Sequence, residues 1–393
     1  MKKYFEVFFT ALKLGLTSFG GPVAHLGFFH HEYVVKKKWI SEAAYADLVA
    51  LCQFLPGPAS SQVGMAIGLA RAGVLGAVLA WIGFTLPSAI VLILLGMGLV
   101  RTDVMANHDW IQGLKIAAVA IVAQAVWGMG KKLCPDLKTA SIAVLACISI
   151  LFFSTPFTQI LVLIFAGLLG VFGLQSKADS ESHQPLYLGR KRVGSVFLGI
   201  FFLLLILLPI FRSAYPVQSI QMIDSFYRAG SLVFGGGHVV LPLLQSEVVP
   251  AGWVSNDLFM AGYGFSNIIP GPLFAFAAFL GAVSNVPPNG WLGALICLIA
   301  LFLPAFLLIV GVLPFWEKLR SLNNVRKAMM GLNAAVVGIL LAALYNPVWT
   351  HAVFSLKDFA LVVISFLFLQ KWKWPSWLVV SVTVALNYTL GFI

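Results

Sequence analysis

The chain is short of charge. Only 10% of its 393 residues are Asp, Glu, Lys or Arg, against roughly 25% in a soluble domain. Acidic residues are the scarcer kind, 14 against 25 Lys and Arg. The four cysteines (Cys52, Cys134, Cys147 and Cys297) stand singly in apolar stretches without Cys-x-x-Cys spacing. They read as small core residues, neither disulfides nor metal ligands. There is no Gly-x-x-x-x-Gly-Lys phosphate loop and no large soluble domain, which argues against an ATP-driven pump. No His/Asp/Glu cluster has metal-ligand spacing and no nucleophile–base motif appears, so no metal or cofactor is expected and the chain does not read as an enzyme. No basic block is long enough to be a nucleic-acid arm, and the net charge of +11 is read as topological, with Lys and Arg gathered in cytoplasmic loops.

What the chain has in excess is apolar length. Hydrophobic residues make up 60% of it, in runs of about 20 that predict membrane-spanning helices. These runs lack the alternation of a transmembrane barrel strand. The fold class expected is an all-α polytopic membrane protein, with the lipid bilayer as its solvent. Met1-Lys2-Lys3 before an apolar run imitates a signal peptide, but Glu6 and Lys13 interrupt the run and Gly20-Gly21-Pro22 is a poor cleavage site, so the segment is expected to be retained.

Two of these runs are interrupted by the same tripeptide, Pro56-Gly57-Pro58 and Pro270-Gly271-Pro272. Two prolines around a glycine cannot continue a helix, since the rings remove donors and clash with the preceding turn. In hydrocarbon such a break survives only where protein or a polar cavity satisfies the freed backbone groups, and matching breaks in two halves point to a transporter's binding site.

The match extends well beyond the tripeptide. Gly15…Phe19-Gly20-Gly21 corresponds to Gly230…Phe234-Gly235-Gly236, Glu32 to Glu247, Trp39-Ile40-Ser41 to Trp253-Val254-Ser255, Pro87 to Pro304 and Gly113-Leu114 to Gly331-Leu332, with an offset that drifts only from 214 to 218 residues. This is an internal duplication. It divides the chain into a first repeat (1–174), a hydrophilic linker and connector helix (175–220) and a second repeat (221–393). Six apolar segments per half plus one connector predict inverted repeats. If the two broken segments of each half are re-entrant and the N-terminus is inside, Lys36–Lys38, Arg71, Lys131, Lys132, Lys138, the linker with Arg190-Lys191-Arg192, Lys318, Arg320, Arg326, Lys327, Lys371 and Lys373 fall on the cytoplasmic side. Only Arg101, Arg212 and Lys357 fall outside, as the positive-inside rule asks.

Candidate site residues follow from this plan. Lys13 and Arg228 are cations inside apolar segments at equivalent positions; they read as an anion-coordinating pair or as snorkelling side chains. Gly20-Gly21, Gly235-Gly236-Gly237 and the two Pro-Gly-Pro turns are expected to present backbone N–H groups at half-helix starts, which bind oxyanions. Ser60, Ser61 and Gln62 follow the first turn, whereas Leu273, Phe274 and Ala275 follow the second, so a single site would be polar on one side and apolar on the other. Gln53 and Asn267, three residues before each turn, are candidate cavity amides. Asp47, Glu32 and Glu247 are candidate proton carriers, as are His25 and His238, for which a packed, hydrogen-bonded role stands as the alternative.

The stretches Leu16-Thr17-Ser18-Phe19-Gly20-Gly21-Pro22, Ala46–Gln62 and Phe84-Thr85-Leu86-Pro87-Ser88 resemble the signature of the chromate ion transporter family, as do Phe234–Leu243 and Pro270–Phe274 in the second half. The likeness covers essentially the whole chain outside the linker and implies the long, two-domain form. It also implies export of chromate across the cytoplasmic membrane, driven by the membrane potential or a proton gradient, with chromate resistance as the result. Asn267 stands where the family pattern leads one to expect Gln. Sulfate shares the tetrahedral dianion geometry, so a sulfate or other oxyanion carrier is the alternative within the class. Outside it stand a passive anion channel and a membrane-embedded enzyme on lipid phosphates. A homodimer is compatible with everything in the sequence.

Overall fold

The structure is a computed structural model that describes residues 1–19, 21–101, 108–153, 156–175, 191–234 and 239–390. Its described residues form helices and turns, with no strand. In the first repeat the order is α1 (Lys2–Thr17), α2 (Gly21–Phe29), α3 (Glu42–Phe54), α4 (Ala59–Arg101), α5 (His108–Leu133), α6 (Leu137–Phe152) and α7 (Pro156–Gly173). The connector is α8 (Lys191–Ala214). The second repeat runs α9 (Gln218–Leu232), α10 (Val240–Val248), α11 (Asn256–Ile268), α12 (Phe276–Ala282), α13 (Gly290–Val312), α14 (Trp316–Ser321), α15 (Asn323–Ala343), α16 (Leu356–Gln370) and α17 (Ser376–Leu390). Five of the described helical stretches are long and apolar enough to cross a membrane: Ala59–Val100, Trp110–Leu133, Lys191–Ala214, Gly290–Phe315 and Asn323–Trp349.

The breaks fall where the glycines and prolines place them. Ser18 and Phe19 after α1, and the chain between Phe54 and Ala59, leave the helical conformation. Inside α4, Ala72 (φ −144°) and Gly73 (φ 68°) interrupt the helix, separating a half-helix from the long apolar segment expected from about residue 73. The polar stretch after His30 is helical in its first part: His30–Lys36 continue α2 as a π-helical turn that buries Glu32 and Tyr33, and only residues 37–41 form a loop before α3. The two repeats also start equivalent helices alike: Ser41 caps α3 and Ser255 caps α11, each accepting the N–H three residues on, which satisfies one of the orphan donors of a helix start.

The compact units are not the sequence repeats. One unit comprises Met1–Ile93, Lys177–Val240 and Pro270–Asn323; the other comprises Leu94–Ser176, Leu241–Ile269 and Asn324–Ile393. Each therefore draws on both repeats. In the first unit α13 is the core, with 72% of its most apolar stretch buried, whereas α8 buries 11% and turns Ile206, Phe202 and Ile210 outward. That exposure suits lipid.

In the second unit, helices pair across the duplication. Gly113 of α5 packs on the backbone of Val384 in α17, while its counterpart Gly331 of α15 packs on Ala166 and Gly170 in α7. Such close backbone approach at small residues is how membrane helices associate. Around α5 the contact is sealed by Leu114, Ala117, Ile121, Leu369 and Val380.

Candidate functional site

The same exchange builds the centre of the first unit. Gly57 donates its N–H to the carbonyl of Val233, the C-cap of α9, at 2.7 Å; Gly271 donates to the carbonyl of Ser18, the C-cap of α1, at 3.0 Å. Ser18 and Val233 are equivalent positions of the two repeats, as are Gly57 and Gly271. Each broken helix is thus closed by the other repeat. The long helices follow suit: a methyl on Gly57 would stand 2.9 Å from Ala305 Cβ of α13, and one on Gly271 would stand 2.8 Å from Ser88 Oγ of α4. Ser88 and Ala305 also correspond, each following the proline of its helix.

This shows what the tripeptides do within the fold. The prolines have no N–H, and the single donor of each turn, the glycine, is spent on a protein carbonyl. The glycine N–H of each turn thus ties the two repeats together. The donors lie one step further on. Gln62 N–H makes a helical bond to the Pro58 carbonyl, so the amides of Ala59, Ser60 and Ser61 precede the ladder at the positive end of the half-helix.

Around that end the structure gathers polar side chains that have nothing to bond. The hydroxyls of Ser18, Ser61 and Thr85 and the amide oxygen of Gln62 are buried without a hydrogen-bond partner. A continuous path of contacts links them. Gly271 joins Ser18 and lies against Ser88, whose hydroxyl donates to the Thr85 carbonyl at 3.0 Å. The Phe84 ring meets the His25 ring edge to face, and His25 Nδ1 lies 3.3 Å from Ser60 Oγ. Gln62 Nε2 donates to the Pro56 carbonyl at 2.9 Å, which leaves its oxygen facing inward unbonded. An unmade hydrogen bond on a buried polar atom costs roughly 1–3 kcal/mol, so several together call for an occupant. The counterparts in the second repeat, Val233 for Ser18, Phe274 for Ser60, Ala275 for Ser61, Phe276 for Gln62, Phe302 for Thr85 and Ala305 for Ser88, are all apolar. The one-sidedness expected from residues 60–62 extends to six positions.

The remaining candidates divide. Lys13 Nζ pairs with Glu32 Oε2 at 2.7 Å, and Lys36 approaches the same oxygen at 3.8 Å. Arg228 grips Asp224 through Nε and Nη2, and Arg212 reaches the same carboxylate at 3.0 Å. The two equivalent cations are thus each matched by a carboxylate of the protein. Asp47 is buried and accepts from the Trp316 indole at 3.2 Å. Gln53 is exposed at the end of α3. Asn267 donates to the Tyr263 carbonyl of its own helix and, like the half-buried Glu247, belongs to the second unit. Gly21 opens α2 with φ +80°. Gly20, Gly235, Gly236, Gly237 and His238 lie outside the described residues, as does most of the 175–193 linker.

Three functional-looking groups escaped the sequence reading: the fully buried Asp224, and the ion pair of Lys115 with Asp257. The signal was present for Lys115, a cation within an apolar run. A groove of about 670 Å³ between α6 and α7 is lined by apolar side chains with only Ser149 and Thr158 between them. Its chemistry fits hydrocarbon and not an anion.

A duplicated helical membrane protein whose broken helices meet at a polar centre has the build of a transporter. The chain belongs to the chromate transporter family, which it matches twice, over residues 5–171 and 220–388. It is 28% identical to an uncharacterized transporter of Methanocaldococcus jannaschii over 98% of this chain and 94% of that protein. It is 27% identical to a probable chromate transport protein of Synechococcus elongatus (84% of this chain, 81% of the relative) and 28% identical to a chromate transport protein of Cupriavidus metallidurans (84% and 79%). No solved structure matches the chain.

Proposed function

We propose that the protein is a secondary carrier that exports chromate, or an oxyanion of the same tetrahedral shape, across the cytoplasmic membrane, and thereby confers chromate resistance. The observation that carries the site is the set of orphaned hydroxyls of Ser18, Ser61 and Thr85 beside a half-helix start. An oxyanion offers several acceptor oxygens and needs donors. Hydroxyls and first-turn amides supply them without a formal charge, so the anion is held but can still leave. The apolar counterparts from the second repeat would exclude water on the other side. Lys13 and Arg228, each compensated by a carboxylate, would hold the helices around the site while the substrate is bound by neutral donors. The crossed Gly57–Val233 and Gly271–Ser18 bonds are what a local two-fold relation between repeats produces; together with the loop charges they support inverted repeats with the N-terminus inside.

The test is chromate accumulation in cells with and without the chain, repeated with a protonophore and with excess sulfate. Lower accumulation that the protonophore abolishes is the expected result, and unchanged accumulation in cells that express the protein overturns the proposal. Sulfate competition measures how far the site discriminates between the two dianions.

The site itself is tested by Ser18→Ala, Ser61→Ala and Thr85→Val. A hydrogen bond to a charged group contributes roughly 1.5–3 kcal/mol, so each change should weaken chromate binding about tenfold or more. Unfolding temperature should hold or rise, because these hydroxyls have no protein partner to lose. Undiminished affinity in all three would move the substrate elsewhere.

A further inference from the structure

Lys115 stands about two turns inside α5, within the span Trp110–Leu133, and is almost fully buried; its ammonium bonds Asp257 in the first turn of α11. The pair occurs once in the molecule. The duplication places Asn333 opposite Lys115 and Ala43 opposite Asp257. Asp257 differs from the two buried ion-paired carboxylates: Glu32 is buried between two lysines and Asp224 is buried between two arginines, whereas Asp257 answers one buried lysine and has 52% of its side chain exposed. Beside it, Asn256 accepts from Gln245 at 2.6 Å, while Asn256 Nδ2 and Gln245 Oε1 are buried without partners. A proton can therefore reach this carboxylate from water, in a polar setting, while the lysine it neutralises stays in the apolar interior.

We propose that Asp257 takes the coupling proton of the carrier and that Lys115 keeps its own throughout. This rests on the transport function proposed above. Uptake of one proton converts the carboxylate to the neutral acid, so the pair passes from zero net charge to the single positive charge of the ammonium; release restores the ion pair. A cation left uncompensated in an apolar interior is unfavourable, so protonation biases the unit toward an arrangement in which Lys115 meets water or an anion. Among the described residues, the other titratable groups on elements around the pair are Lys131 and Lys132 at the far end of α5, Tyr263 on α11, Tyr345 in the helical turn Leu344–Trp349, Lys357 and Asp358 at the start of α16, Tyr388 on α17 and Glu247 on α10. Lys357 donates to the Asn387 carbonyl, and Asp358 accepts from the backbone of Phe354 and Ser355.

The experiment uses the full chain in liposomes with radiolabelled chromate, reading equilibrium exchange and accumulation driven by an imposed proton gradient. A one-to-one coupled gradient of about one pH unit sustains about tenfold accumulation, or ~1.4 kcal/mol. Asp257→Asn should keep exchange and lose the tenfold accumulation, and Asp257→Glu should keep both. The double variant Lys115→Met with Asp257→Asn removes both charges and should exchange without accumulating. Accumulation persisting in Asp257→Asn or in the double variant would make the pair structural and overturn the assignment. Exchange missing from both would put the pair in the substrate's path, which overturns it equally. Wild-type protein that fails to exchange chromate refutes the transport proposal instead.

Discussion

Gly271→Ala is expected to remove most of the folded carrier from the membrane. Two separate costs fall on this residue. Its φ of +111° lies in the region that glycine occupies freely and L-residues rarely adopt, a strain of order 1–3 kcal/mol. The added methyl would also stand 2.8 Å from Ser88 Oγ and 3.1 Å from Ser88 Cβ, which a packed helix cannot yield without moving. Moving it threatens the Gly271 N–H bond to Ser18 that closes α1. The sum is several kcal/mol, a large fraction of a typical total stability. A second variant isolates one of these costs: Ser88→Ala with Gly271→Ala removes the 2.8 Å contact with Oγ and leaves the 3.1 Å approach to Cβ and the φ strain, so it should recover part of the loss in unfolding temperature but not all. Gly57→Ala should behave alike, since its φ is +119° and its methyl would meet Ala305 Cβ at 2.9 Å and Gln62 Nε2 at 3.1 Å. A Gly271→Ala protein with wild-type yield and unfolding temperature would show that the turn relaxes, and the crossed closure would then be incidental.

That closure was only half legible in the sequence. The two tripeptides are local patterns, and the helix breaks at both were placed within a residue or two. The one-sided polarity of the site was visible too, because comparing the repeats sets Ser61 against Ala275 directly. The partner of each turn was not, since periodicity says where a helix breaks and not which carbonyl takes the freed N–H. For the same reason the compact units, each drawn from both repeats, could not be read from a duplication that suggests two halves side by side. Repeat comparison also directed attention to one kind of residue. It singled out Lys13, Arg228, Glu32 and Glu247 because they recur, and passed over Asp224, whose counterpart is Phe9, and the Lys115–Asp257 pair, which has no counterpart. A residue that breaks the symmetry carries as much information as one that keeps it.

Asp224 is where that asymmetry should be most costly to disturb. Its side chain is wholly buried, and both Arg212 and Arg228 bond it. Asp224→Ala takes away the carboxylate these two cations share, so each loses an ion pair while repelling the other. Breaking a buried pair costs roughly 3–5 kcal/mol, more than the intact pair contributes over an apolar substitute. Arg212 keeps 34% of its side chain exposed and Arg228 19%, and solvent screening pulls the figure toward the lower end. Arg228→Met should cost less, because Arg212 still answers the carboxylate at 3.0 Å and the methionine fills the vacated space. Loss of transport in Arg228→Met would therefore speak for a role in substrate handling only if the protein's unfolding temperature stays near wild type, which makes unfolding in detergent the measurement to take beside transport. The expected order of stability is wild type, then Arg228→Met, then Asp224→Ala. Equal stability of Asp224→Ala and wild type would mean that the two arginines find other acceptors, and the carboxylate would not be what holds α8 to α9.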